Sequence, residues 1–394
     1  MRDATENATA ILTRRETLKY GGTILTGSVL AGCSELVGQE DTTERTDTGG
    51  SYEACLEPVG CLSFEDVPET WMAITGPWAD MAIALGQRDG FKPAGWYAPS
   101  YFFDRVGVSM PSDVPSPLSN GWDKELFYEL DPEVILCDPN YFHGSGFDGS
   151  WDESDTQELV DTVAPFFGNN IVRRREFHTY ELPSLYEAFD RLADLFQERE
   201  RYEAFASIHD EMLAEIDSRL PAGSERPEVG LVNFGSAPSE GTFAPMTTEG
   251  EGVEMKTYRN LEVESTFTAD QGELDYESML EIDPEILIVH GGVRLTDDDG
   301  EYDASAFHEQ FVAPMEADAV GSQLTAVAAR NIYPGAHFQQ GPIVNLFQTE
   351  LTARLLYPDE FGTFDPENFP DVPADERLFD RQRVADIING EIDQ

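Results

Sequence analysis

Two segments of this chain, about 150 residues apart, carry the same punctuation, and that repeat restricts the folds open to it. The first is Lys124-Glu125-Leu126-Phe127-Tyr128-Glu129-Leu130-Asp131-Pro132-Glu133-Val134-Ile135-Leu136. The second is Tyr276-Glu277-Ser278-Met279-Leu280-Glu281-Ile282-Asp283-Pro284-Glu285-Ile286-Leu287-Ile288-Val289. Each reads as a short helix, an Asp-Pro-Glu turn and a strand, because proline ends a helix and an apolar β-branched run favours a strand. A strand apolar on both faces beside helices belongs to a parallel sheet covered on both sides. Upstream of each copy, at a similar distance, lies another apolar run, residues 71–75 and 229–233. The pattern predicts an α/β chain of two Rossmann-like lobes with parallel-type sheets.

Between the two copies, Leu182, Leu185, Phe189, Leu192 and Phe196 recur at helical spacing, as do Phe205, Ile208, Met212 and Ile216. This predicts a bridging helix over 183–197 and a second over 201–219, closed by Pro221-Ala222-Gly223-Ser224. A helix of about 15 residues spans about 22 Å, enough to join two lobes side by side and to resist their twisting. The expected organisation is an N-terminal lobe over 55–181, bridging helices over 182–220 and a C-terminal lobe over 221–394, with a cleft between the lobes. A closing strand is expected at 331–333, and helices over 341–356 and 379–388.

The amino terminus reads as an address. Thr13-Arg14-Arg15-Glu16-Thr17-Leu18-Lys19 is a twin-arginine pattern, and residues 20–31 form an uncharged, mildly apolar stretch. That stretch is shorter than the roughly 20 apolar residues a bilayer span needs. Leu30-Ala31-Gly32-Cys33 is a lipobox. Residues 1–32 are therefore expected to be a signal peptide and Cys33 to carry lipid. Residues 33–54, poor in apolar side chains, are expected to be a flexible tether. The protein is expected outside the cytoplasm, anchored to the outer face of the cell membrane.

Asp and Glu number 76 against 25 Lys and Arg, a formal charge of −51. The acids are spread along the chain, as on a solvated surface suited to molar salt, where the Debye length falls to about 3 Å. The same charge argues against nucleic acid as a partner. Cys55 and Cys61 are close in sequence and, in an exported protein, are expected to pair. Cys137 ends an apolar run and is expected to be a buried thiol.

In order along the chain, these features resemble the solute-binding proteins with a helical backbone that serve iron–siderophore, haem and cobalamin importers. The resemblance runs from about Leu56 to Asn389. It rests on Phe64-Glu65-Asp66-Val67-Pro68-Glu69 before the first strand and on Gly76-Pro77-Trp78-Ala79-Asp80-Met81-Ala82-Ile83-Ala84-Leu85-Gly86 after it. The two Asp-Pro-Glu units, residues 326–333 and Gly341-Pro342 complete it. It implies a monomeric binding component of an ABC importer, working with a membrane permease and its ATPase. Acids that dock on transporter arginines are, by the same resemblance, Asp80 in the first lobe and Glu251 and Glu254, with Glu249, in the second.

Ligands of α/β sheets bind outside the carboxyl ends of the strands. That rule selects Trp78, Tyr141 and His143 in the first lobe and Phe234, His290, Arg294, His337 and Phe338 in the second. Trp96, Tyr97 and Trp122 add aromatic faces, and Arg259 stands out with Arg294 because bases are scarce. Aromatic faces and guanidinium forks suit a bulky metal chelate such as a ferric siderophore. Arg173-Arg174-Arg175 is read as pairing with surface acids. Three alternatives stay open. His143, His290 and His337, with an acid such as Asp138, are a set for direct Zn²⁺ or Mn²⁺ binding. Haem or cobalamin could be the ligand. A lipid-anchored hydrolase is the alternative of another class, although no Gly-x-Ser-x-Gly, His-Glu-x-x-His or GxGxxG motif is present. No resident cofactor and no catalytic residue is expected.

Overall fold

The structure is a computed structural model that describes residues 51–111, 114–115, 124–144, 151–223 and 226–392. The signal segment, Cys33, most of the expected tether and Trp122 lie outside the described residues. Among the described residues, no helix is long and apolar enough to cross a membrane.

The described chain opens with an antiparallel hairpin, β1 (Tyr52–Leu56) and β2 (Gly60–Phe64). Ordered strand therefore begins at Tyr52, inside the segment expected to be tether. Cys55 faces Cys61 across the ladder, and the two form a disulfide. Cys137 is a buried free thiol.

The two copies of the repeat build two parallel sheets. In the first lobe β3 (Trp71–Ala73) pairs with β4 (Val134–Leu136). In the second, β5 (Val229–Asn233), β6 (Pro245–Met246), β7 (Ile286–His290) and β8 (Ile332–Pro334) form a sheet ordered β6-β5-β7-β8, with only β6 antiparallel. The Asp-Pro-Glu turn does the same two things in each copy. Asp131 and Asp283 take left-handed backbone angles, φ 45° and 49°, ending the helix before the proline. The next glutamate reaches back to the foot of the preceding strand. Glu133 Oε2 accepts from Thr70 N at 3.0 Å, and Glu285 Oε2 accepts from Glu228 N at 3.2 Å. The motif thus sets the register of the strand pair it introduces.

After β3 comes α1 (Gly76–Ala84), all of it buried. The bridging segment forms α2 (Leu185–Phe196), opened by a Ser184–Glu187 capping box, and α3 (Arg199–Arg219). α3 begins two residues before the expected start and has 21 residues, so it is about 31 Å long. One end grips the first lobe, where Arg201 Nη1 donates to Leu85 O at 2.6 Å. The other end holds the second, where the Arg219 guanidinium lies 4.4 Å over the Phe361 ring. Later in the chain come α4 (Lys256–Asn260), α5 (Pro342–Leu356) and α6 (Arg381–Asn389).

α5 is buried on every side and packs on α1, α3 and α4. Its amino terminus is capped from the other lobe. Asp80 Oδ1 accepts from Ile343 N at 2.9 Å, and Oδ2 accepts from Gly341 N and Val344 N at 3.0 Å. A carboxylate suits the positive end of a helix that presents several free N–H groups. The approach is so close that a Cβ on Gly341 would lie 2.4 Å from the Asp80 Cβ. Asp80 is 1 % exposed, so it is no docking acid. Its partner is the helix, and no transporter can reach it.

Asp80→Ala leaves three buried N–H groups without an acceptor and is expected to lower the unfolding free energy by about 2–4 kcal/mol, read from urea melts. Burial pushes the Asp80 carboxyl up to about 7, against the pull of the N–H groups of Val344, Ile343 and Gly341. The folded state then holds its proton more tightly than the unfolded chain, so this group's contribution to stability falls as pH rises from about 4 to about 7. The difference in stability between wild type and Asp80→Asn should change over that window and level off above it.

Candidate functional site

Residues that follow the strand ends gather in each lobe, and Arg173 reaches from the first lobe to the second. On the first-lobe side, Tyr141 follows β4 and meets Trp96 edge to face, with ring centroids 6.4 Å apart. Phe177 stands against Tyr141 in the same manner at 6.4 Å. On the second-lobe side, Phe234 follows β5, His290 ends β7, and His337 and Phe338 follow β8 with their rings stacked at 4.7 Å. The Arg294 guanidinium lies 4.6 Å over Phe234. Arg173 crosses the gap: it pairs with Glu254 and lies 6.0 Å from the centre of the Phe338 ring. The segments beneath are joined by backbone bonds, Val253 N to Ile171 O at 2.8 Å and Glu254 N to Val172 O at 3.1 Å. Gly252, at φ +97°, allows this approach, since a Cβ there would lie 2.4 Å from Val172 O.

The floor is a relay of buried polar groups. Ala336 N donates to the Tyr258 hydroxyl at 3.1 Å, and that hydroxyl shares a hydrogen bond with His290 Nδ1 at 3.0 Å. His290 Nε2 faces Glu254 Oε1 at 3.3 Å without hydrogen-bond alignment. His337 is held neutral: burial, helped by Arg294 and His290, pushes its pKa down to about 3. Burial raises the Tyr141 hydroxyl pKa, Cys137 adds to the rise, and Arg175 and Arg173 oppose it. Two guanidinium groups thus lie against half-buried rings, Arg173 by Phe338 and Arg294 over Phe234, and the Arg175 charge acts on Tyr141.

The structure places Trp96 against Tyr141 in the first lobe, and groups Phe234, His290, Arg294, His337 and Phe338 in the second. Other candidates go elsewhere, each for a physical reason. Trp78 is wholly buried in α1, its Nε1 donating to Asn169 O at 2.6 Å. The Tyr97 hydroxyl donates to Ala73 O at 2.7 Å and fastens its loop to β3. Arg259 lies on the outer face, where Nη1 donates to Gly250 O at 2.7 Å. His143 lines a separate first-lobe recess beside Thr156, Phe166 and Phe177. Asp138 is committed to Asn140, Asn170 and Tyr180. Among the described residues, no group of three or more His, Cys, Asp or Glu is placed to hold a metal ion, so the three histidines do not form the alternative metal set. Glu254 is buried in the cleft floor, out of a transporter's reach, whereas Glu251 is exposed and bonded to Arg174. Arg173 and Arg175 were read from sequence as surface partners of acids. Their clustering in a base-poor chain was the available signal for a cleft role.

No protein-family model and no curated protein matches this chain. Solved structures do. A periplasmic binding protein from Veillonella parvula aligns at TM-score 0.54 and 13% identity, covering 82% of this chain and 95% of its own. A periplasmic solute binding protein from Mycobacterium smegmatis aligns at TM-score 0.53 and 13% identity, covering 79% and 98%. The iron uptake ABC transporter substrate-binding protein PiuA from Streptococcus pneumoniae aligns at TM-score 0.50 and 18% identity, covering 77% and 98%. The fold is that of the two-lobed periplasmic binding proteins with a helical backbone.

Tyr258→Phe removes the acceptor of Ala336 N and the hydrogen-bond partner of His290 Nδ1. It is expected to cost about 1–3 kcal/mol of stability, measured by chemical denaturation, and to move the His290 tautomer, visible in nitrogen NMR shifts.

Proposed function

We propose that the protein is the extracytoplasmic binding component of an ABC importer, capturing an anionic metal chelate, a ferric siderophore, between its lobes and delivering it to a membrane permease and its ATPase. The observation that carries this reading is that Arg173 and Arg294 lie against the Phe338 and Phe234 rings, with the Arg175 charge acting on Tyr141, in a chain of net charge −51. Arg175 and Arg294 have no carboxylate partner among the described residues, which leaves their charge available to a ligand. Guanidinium forks recognise carboxylate and catecholate oxygens, and aromatic faces cover the apolar body of the ligand. The fold supports the reading, since its relatives of known structure include an iron uptake substrate-binding protein. The lipobox at Cys33 would hold the protein at the outer face of the membrane, and the exposed Glu251 remains a candidate for permease docking.

Binding without chemistry also fits the histidines. Among the described residues, none is hydrogen-bonded to a serine or cysteine, the pairing a hydrolase of the serine or cysteine type requires.

Tryptophan fluorescence should quench on adding ferric siderophores that carry negative charge. Arg294→Ala and Arg175→Ala should each weaken binding roughly 10-fold or more, a loss of about 1.4 kcal/mol or more. Equal affinity for cationic and anionic chelates, or no loss in either variant, would remove the basis of the proposal.

A further inference from the structure

A second recess, of about 720 Å³, lies between the bridging helices and the second lobe. Residues 249–253 line one side of it, while the next residue, Glu254, turns into the cleft. At its base is Lys256, on α4. The whole sequence has four lysines, and this one sits half-buried with no carboxylate partner among the described residues. Its Nζ donates to Asn260 Oδ1 at 3.0 Å and lies 2.9 Å from His209 Nε2. The other His209 nitrogen, Nδ1, is 3.1 Å from Asp210 Oδ1, so the proton is on Nδ1 and Nε2 accepts from the lysine. Burial, and then Lys256 itself, holds the His209 pKa at about 4, leaving the imidazole neutral.

Two of the three ammonium protons are thus used, and the third has no acceptor among the described residues. The Tyr186 ring lies 5.8 Å from Nζ and packs on His209 at 4.2 Å, forming a flat wall. Burial and Arg259 push the Lys256 pKa down to about 8. A base that tolerates this loss of solvation without an acid, in a chain where acids outnumber bases threefold, is placed for an incoming anion. Acids dominate the rim: Glu187, Asp210 and Glu249 border the same recess, as does Arg259, whose guanidinium is hydrogen-bonded to Gly250 O and Gly252 O.

We propose that this recess is a second binding site, separate from the cleft, for a small zwitterion of the amino-acid class, its carboxylate on Lys256 and its ammonium on the acidic rim. A simple anion would be repelled by the rim and a simple cation by Lys256, so the paired charges set the selectivity.

The test is ligand-observed NMR titration of the folded protein with L-alanine, acetate and ethylammonium. Alanine should saturate, with acetate and ethylammonium weaker on the order of 10-fold or more. Lys256→Met should abolish alanine binding, and Arg294→Ala, in the cleft, should leave it unchanged. If Lys256→Met does not fold, Asp210→Asn on the exposed rim should narrow the preference for alanine over acetate. Absence of alanine binding, equal binding of acetate, or indifference to both substitutions would overturn the proposal.

Discussion

The contact on which the rest of the molecule depends is the carboxylate of Asp80 at the amino terminus of α5. It joins a helix that follows the first strand of one lobe to a helix that follows the last strand of the other. Three N–H groups converge on one side chain in a buried setting, so the distance between the lobes is fixed at that point to within a hydrogen bond. Two further ties limit rotation about it. α3 is held at both ends, and the Tyr101 hydroxyl donates to Val293 O at 2.6 Å across the opposite flank. With the lobes braced in this way, Arg173 can reach from one lobe to Glu254 and Phe338 of the other.

Charge is distributed in the same spirit. A surface of spread acids repels itself at low ionic strength, and molar salt screens that repulsion beyond about 3 Å. Direct contacts survive such screening, and long-range steering does not. On the proposed reading, an anion held in molar salt would be gripped by guanidinium groups touching it, and Arg173 and Arg294, each beside a ring, would be placed for this.

The architecture was legible in the sequence because its signals are local. Proline and a left-handed aspartate stop a helix in each Asp-Pro-Glu unit, and the apolar run that follows can only be a covered strand. The bridging helices were legible from their 3.6-residue periodicity. The site was half legible: the strand-end rule finds His290, Arg294, His337 and Tyr141, since backbone topology alone places them. What it misses depends on tertiary partners. Asp80 looks like any of 76 acids until the helix it caps is seen. Trp78 follows a strand end and Tyr97 lies in a later loop, yet both turn inward, because an indole N–H and a phenol each found a backbone carbonyl. Arg173 resembles a surface base until Glu254, distant in sequence, meets it.

The encirclement of α5 also bears on the order in which the molecule can mature. α1 packs on α2 and α3 and also on α5 and α6, elements drawn from near the other end of the described chain. A nascent amino-terminal half therefore emerges with one wall of its interior missing, and cannot close by itself. The lobes are twins in topology but must consolidate together, as one cooperative unit instead of two successive domains.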